Sequence, residues 1–324
     1  MTPTLQTFIR ALSAPDLQFK TLRTARPLTD GNALPQVHRT TRFAECEIVW
    51  EGKHWLLFMP MSPTAMAKAE RIATALRKVR SQAVTEYRLL PAELMWRDDL
   101  GKAHYQDLVV EALPQGIGFT EALHSIEQGK LLAELEALEK ELRKIKFTHH
   151  NLKPENLRWD GERFLTLRYH DAEIGGDATN EEAWESLRQR ILKEASTEVS
   201  NCSANDVEGN YSSQATFNGH RWMSHAFEGL ICVEDETGYG FIDEQGQSVI
   251  PSTFVWAGDF HEGRAEVETD SGMGLIDKEG RWIIPAEYEI VEYLADESLV
   301  KVRKDNRWAM FDYMGRQLSP FEEA

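Results

Sequence analysis

The sequence predicts an α+β first part followed by an all-β repeat region, on three observations. Apolar patterns of helix period and of strand period alternate through residues 1–195, a Ser, Asn and Thr-rich stretch without apolar period follows at 196–216, and from residue 217 the chain repeats itself. In the repeats Gly240, Gly274 and Ala309 align, as do Asp243, Asp277 and Asp312; Gly246, Gly280 and Gly315; Pro251, Pro285 and Pro320; Val233, Val267 and Val302. Each series advances by 34 and then 35 residues, and five independent series in one register exclude coincidence.

The elements follow in chain order. Within 44–61, Cys46-Glu47-Ile48-Val49-Trp50 and Trp55-Leu56-Leu57-Phe58-Met59 flank Glu51-Gly52, which predicts two strands around a glycine turn. Ser62 then supplies an N-cap and Pro63 a first-turn proline to a helix whose Ala69, Ile72, Leu76 and Val79 share one face. Residues 92–96 and 105–110 form a second strand pair around Asp98-Asp99-Leu100-Gly101. Leu131, Leu135, Leu138, Leu142 and Ile145 recur at steps of three and four and predict a long helix. After it, Leu157-Arg158-Trp159 and Phe164-Leu165-Thr166-Leu167 flank Asp160-Gly161, a hairpin signal. A last helix is expected over 180–195, carrying Trp184, Leu187 and Leu192.

Composition bounds the function. Of 324 residues 42% are hydrophobic and 27% charged, which suits a folded chain of more than one domain. The net charge is −17, and residues 217–324, with 22 acidic and 9 basic side chains, carry −13 of it. That field repels phosphate backbones, so nucleic acid is not expected as a partner and a basic protein surface is. Cys46, Cys202 and Cys232 are odd in number and scattered, which fits a reducing compartment and neither a disulfide framework nor a zinc site. No apolar run reaches the length of a membrane span, and the first ten residues lack the order of a secretory signal. The expected location is cytoplasmic.

Between the long helix and the hairpin stands His149-His150-Asn151-Leu152-Lys153-Pro154-Glu155-Asn156, and Asp171-Ala172-Glu173 follows. The run resembles the protein-kinase catalytic loop H-R-D-L-K-P-E-N, with Asn151 at the place of the catalytic aspartate; a polar turn is the bland alternative. A carboxylate accepts the proton of an attacking hydroxyl, whereas an amide has no such capacity near neutral pH. The resemblance implies that Lys153 would face a terminal phosphate and that Asn156 and Asp171 would hold Mg²⁺. It sets Asp171 where the family carries D-F-G, 111–118 as the hinge, and Glu70 as the helix partner of a strand lysine, a lysine whose place falls near Met59 or Met61. No G-x-G-x-x-G precedes the first strand pair, Gly116-Ile117-Gly118 lies in the hinge instead, and no A-P-E follows the short segment after Asp171. The C-lobe is accordingly truncated. His149, His150 and His170 lack zinc-type spacing.

Each repeat is expected to hold three strands, Leu230–Glu234, Tyr239–Asp243 and 247–250 in the first. The aspartate three residues before each glycine fits turn initiation rather than a calcium loop, which would cluster acids. The units resemble WG repeats, with Tyr239-Gly240, Met273-Gly274 and Trp308-Ala309 at the position of the Trp-Gly pair. Three units imply an open stack or a compact β domain rather than a closed propeller. Trp222 and Trp256 stand at equivalent positions, with Val291 in the third unit; if exposed they are candidate partner anchors, and core burial is the commoner fate of tryptophan.

These readings give a kinase-like N-lobe at 1–118, a reduced C-lobe at 119–195, a linker at 196–216 and three WG-type repeats at 217–324. The expected function is a non-catalytic binding or scaffold protein without a cofactor. The alternatives are an atypical small-molecule phosphotransferase or nucleotide sensor using Mg-ATP, and a glycan-binding repeat module.

Overall fold

The computed structural model describes residues 3–29, 33–98, 100–175, 180–194, 220–294 and 298–323. The linker expected at 196–216, with Cys202, and the predicted helix end at Ala195 lie outside them.

An antiparallel sheet organises the first half. Strands β1 (Arg26–Pro27), β2 (Val37–Arg39), β3 (Phe43–Trp50), β4 (Lys53–Pro60), β5 (Tyr87–Arg97) and β6 (Ala103–Ala112) lie in the order β1-β3-β4-β6-β5, with β2 beside β1 on β3. The uninterrupted apolar run of β4 serves two cores. Leu56 and Phe58 face helix α3 (Pro63–Leu76) and the helical part, while Trp55, Leu57 and Met59 face the other way. Ser62 caps α3 as expected, its hydroxyl accepting the Ala65 N–H at 3.1 Å. Helices α1 (Leu5–Ser13) and α2 (Pro15–Gln18) were not anticipated. The pattern Leu5, Phe8, Ile9, Leu12 behind the N-cap Thr4 is the signal for α1, whose Phe8 and Leu12 are buried.

Past the connection come α4 (Phe119–Ser125), α5 (Gln128–Lys144) and α6 (Glu181–Glu194). The hairpin of residues 157–159 and 164–166 forms on the predicted residues. Leu131, Leu135, Leu138 and Leu142 of α5 are buried. In α6 the buried face is Trp184, Leu187 and Ile191; Leu192 is exposed, because the inward stripe continues four residues after Leu187 rather than five.

Each repeat is a four-stranded antiparallel meander, one strand more than expected. The units are Trp222–Phe227, Leu230–Glu234, Tyr239–Asp243 and Ser248–Phe254; Trp256–Ala257, Arg264–Thr269, Gly272–Asp277 and Trp282–Tyr288; and Ile290–Leu294, Leu299–Lys304, Arg307–Asp312 and Glu322–Glu323. The unforeseen leading strands hold Trp222, Trp256 and Val291. Asp243, Asp277 and Asp312 each accept two backbone N–H groups of their own turn through Oδ1, at 2.8–3.1 Å, so the carboxylates serve as turn acceptors. Among the described residues no cluster of His, Cys, Asp and Glu could hold a metal ion.

The glycine of the Trp-Gly position has a steric cause. In the second unit a Cβ on Gly274 would lie 2.6 Å from Ile284 O and 2.9 Å from Ala286 N, where the last strand bulges across it; Gly240 is equally crowded by Ile250 and Ser252. In the third unit the last strand pairs only with Arg307 and Trp308, and Ala309 is accommodated. Gly274→Ala is therefore expected to lower stability by about 1–3 kcal/mol, the range for overpacking, while Ala309→Gly costs about 1 or less. Urea titrations of the two variants check this, and equal effects would refute the steric account.

One hydrophobic core crosses from the sheet to the repeats. It joins Phe8, Leu12, Ile48, Leu57 and Met59 to Trp222, Trp256, Leu275 and Val291.

Candidate functional site

A cleft of about 780 Å³ lies between the sheet and the helical part, walled by Leu56, Leu113, Leu157, Leu167, Glu45 and Arg168 among others. The loop that carries the kinase-like run borders it.

His149 is wholly buried, and burial pushes its imidazole down to about 4, so it is neutral at physiological pH. Its Nδ1 accepts the Asn151 N–H at 3.3 Å, which leaves the proton on Nε2 for Leu167 O at 2.7 Å. Both ring nitrogens are thus structural, and the histidine trio is not a metal site. Asn151 lends its carbonyl to Asn156 Nδ2 at 2.7 Å, and Lys153 is exposed. Asn156 is buried, with Oδ1 3.4 Å from Arg168 Nη1. Asp171 meets Arg42 Nη1 at 2.9 Å. Burial alone would raise the Asp171 carboxyl, but the Arg42 charge, with Lys68 beyond it, holds it at about 2.

Arg168 lines the cleft. Its Nε and Nη2 clasp both oxygens of Glu45 at 2.7 Å, and Nη1 donates to Glu155 O at 2.8 Å. Its backbone is left-handed at φ 61°, a strained conformation for a residue with Cβ. Glu111, fully buried at the end of β6, fixes that backbone by accepting the Arg168 N–H at 2.9 and 3.0 Å, and also meets Thr85 Oγ1 at 3.0 Å. Burial pushes Glu111 up to about 8 despite these bonds. Thr85 Oγ1 reaches Tyr169 Oη at 3.0 Å, which donates to Thr166 O.

Met59 and Met61, near which the resemblance would set a strand lysine, both belong to the core on the other side of the sheet. Phe58 faces the site, its ring 4.3 Å from that of His170, and His170 stacks on Phe43 at 3.9 Å. Met59 points to the opposite core because side chains alternate along a strand. Glu70 is exposed.

The repeats pack against the first half of the chain. Trp256 Nε1 donates to Thr41 O at 2.5 Å, and Thr41 Oγ1 donates to Asp259 Oδ2 at 2.8 Å. Arg39 stacks 4.4 Å above the Trp222 ring and pairs with Glu234; Thr64 Oγ1 donates to Val291 O at 2.9 Å. Arg71 clasps Glu292 at 2.6 and 2.8 Å. The equivalent positions 222, 256 and 291 therefore all face the first half of the same chain. Trp222 and Trp256 are 3% and 2% exposed, so they are not free anchors for a protein or glycan partner. Two acids of the repeats, Glu234 and Glu292, thus pair with arginines of the first half.

A divalent cation here would need oxygens of Asn156 and Asp171. A guanidinium already donates to each of them, and like charge opposes a second cation at the same oxygens. The residues present do not fit Mg²⁺.

Arg42, Arg168, Glu45 and Glu111 escaped sequence reading. Only Glu111 left a trace, as an acid ending the apolar run Leu108-Val109-Val110. Two stretches, 239–271 and 273–308, match the WG containing repeat family, so this region consists of WG-containing β repeats. No curated protein matches the chain.

Proposed function

We propose that the chain is a non-catalytic binding protein in which WG-type repeats are docked on a kinase-like domain that does not handle nucleotide. The observation that carries the reading is the set of groups at the positions the resemblance would give to the chemistry. An amide, Asn151, stands where phosphoryl transfer needs a base, Met59 and Met61 stand where a strand cation would, and the two candidate cation ligands are bonded to arginines. The kinase-like part is supported by the sheet order β3-β4-β6-β5 with α3 between β4 and β5, and by the succession of long helix, loop, hairpin and Asp171.

The connection after β6 points the same way. A nucleobase lying along it would need a backbone donor. The Leu113 N–H is given to His54 O at 3.0 Å, Pro114 has none, and the carbonyls of Pro114 and Gly116 accept from Arg158 at 2.6 and 2.9 Å. Millimolar Mg-ATP is expected to leave the thermal midpoint unchanged. Binding at about 100 times the dissociation constant would add roughly 2.7 kcal/mol, and a rise of that kind in the melting curve would sink the non-nucleotide reading.

The partner we propose is a protein with a basic face, drawn to acids of the repeats that stay exposed even where an arginine of the chain lies beside them. Glu236 and Glu279 are 87% and 66% exposed. Binding of this kind weakens with added salt and with Glu236→Lys or Glu279→Lys; a partner captured equally by wild type and by these variants at all salt concentrations would refute the electrostatic part.

A further inference from the structure

We propose that the cationic loop at residues 20–26 docks on the acidic hairpin tips of the repeats of a second copy of this chain. The inference rests on the electrostatic part of the proposed function and names its basic partner.

The loop, between α2 and β1, is fixed from beneath. Phe19, Leu22 and Ala25 are buried in the shared core, so Lys20, Arg23 and Arg26, each one residue further on, stand exposed. Glu93 of β5, only 1% exposed, holds the backbone. Its carbonyl accepts the Lys20 N–H at 2.9 Å, and its Oε1 accepts the Thr21 and Leu22 N–H groups at 2.7 Å each. Pairing of Arg26 with Val49 on β3 ties the far end. Glu93 is thus spent on main chain, and no carboxylate among the described residues lies within 4.0 Å of any of the three cations. Cations carried on a backbone that is already ordered lose little freedom on docking.

The complementary surface recurs with the period of the repeats. Glu236, Asp270 and Asp305 occupy one position, 34 and then 35 residues apart, and each sits in the turn that joins the second and third strands of its unit. All three are exposed, Glu236 by 87% and Asp305 by 76%. One exposed acid per unit makes a repeated anionic surface. The charge of the chain is divided in the same sense, since −13 of the −17 lies in residues 217–324 and leaves −4 for 1–216. Any second copy brings both surfaces. Two copies repel as wholes, but at physiological ionic strength that repulsion is screened beyond about 8 Å, while ion pairs at contact persist. Each exposed pair contributes little, so the association is weak and needs several pairs at once.

Sedimentation velocity of the full chain at physiological salt is expected to give a mean sedimentation coefficient that rises with protein concentration, and about 0.5 M NaCl should abolish the rise. Two variants separate the surfaces. Lys20→Glu with Arg23→Glu reverses the loop, and Glu236→Lys with Asp270→Lys reverses the tips. Each alone is expected to self-associate about tenfold more weakly than wild type or worse, and an equal mixture of the two should associate again, because the intact loop of one meets the intact tips of the other. Should a reversal disturb folding, seen by far-UV circular dichroism, Lys20→Gln with Arg23→Gln and Glu236→Gln with Asp270→Asn are read in the same way without the mixture. A wild type monomeric at every concentration, a loop reversal without effect, or a mixture no more associated than its components would each overturn the proposal. A monomeric wild type that binds a lysine-rich peptide, more weakly after the tip reversal, would overturn this inference and leave the basic-partner reading standing. Self-association that the tip reversal leaves unchanged, beside peptide binding equally unchanged, would sink both.

Discussion

Trp256→Ala is expected to lower the stability of the whole chain by about 3–5 kcal/mol, the range for truncating a buried tryptophan. The side chain is 2% exposed, and its indole N–H is satisfied by Thr41 O across the junction of the two halves. Removing it leaves a cavity in a core that runs unbroken from Phe8 to Val302 and an unsatisfied carbonyl at residue 41. Because the core is shared, the loss should appear in both halves in one transition, read alike by tryptophan fluorescence and far-UV circular dichroism in urea. Trp256→Phe keeps most of the apolar surface and loses the hydrogen bond, so about 1–2 kcal/mol is expected. Trp282→Ala, at a site 46% exposed, is the control and should cost about 1 kcal/mol or less. Two separated transitions in the wild type, or a Trp256→Ala loss no larger than that of Trp282→Ala, would refute the shared core.

The second large effect concerns pH. Glu111 is buried, and its carboxyl is raised from 4.5 to about 8 chiefly by burial. The folded protein therefore holds this proton more tightly than the unfolded chain does. Its contribution to stability is fully present below about 4.5 and is lost as pH rises toward 8, beyond which the folded state carries a buried charge that its hydrogen bonds and Arg168 only partly offset. Glu111→Gln matches the protonated acid in shape. Its oxygen can accept the Arg168 N–H, and its NH₂ can donate to Thr85 Oγ1, which passes its own hydrogen to Tyr169. The variant is expected to lose the decline between pH 5 and 8 that this group causes, and to exceed wild type at pH 9 by a few kcal/mol at most. Urea titrations at pH 5, 7 and 9 measure it. Parallel pH profiles for the two proteins would show that Glu111 ionises normally.

Much of the local structure was legible. The N-cap of α3, the hairpin at Asp160-Gly161, the buried stripe of α5 and the repeat register depend on residues a few positions apart, whose mutual geometry is set by backbone period. Errors arose where the signal was weak or one-sided. The leading strand of each repeat was missed because it is short in the second unit and its aromatic residues pack against another part of the chain. Which side chains of β4 serve which core left no mark in the sequence, because β4 is apolar on both faces.

The sequence by itself determined the period of the repeats and the turns that close them. Each of these is a matter of residue identity or of contacts within one unit. Tertiary structure alone decided that Trp222 and Trp256 meet Arg39 and Thr41, that the Val291 carbonyl meets Thr64 of α3, and that Asp171 has Arg42 for its counter-ion. Arg42 and Asp171 lie 129 residues apart, and Thr41 and Trp256 lie 215 apart. Contacts at such separations depend on how whole layers pack, and no spacing in the chain encodes them.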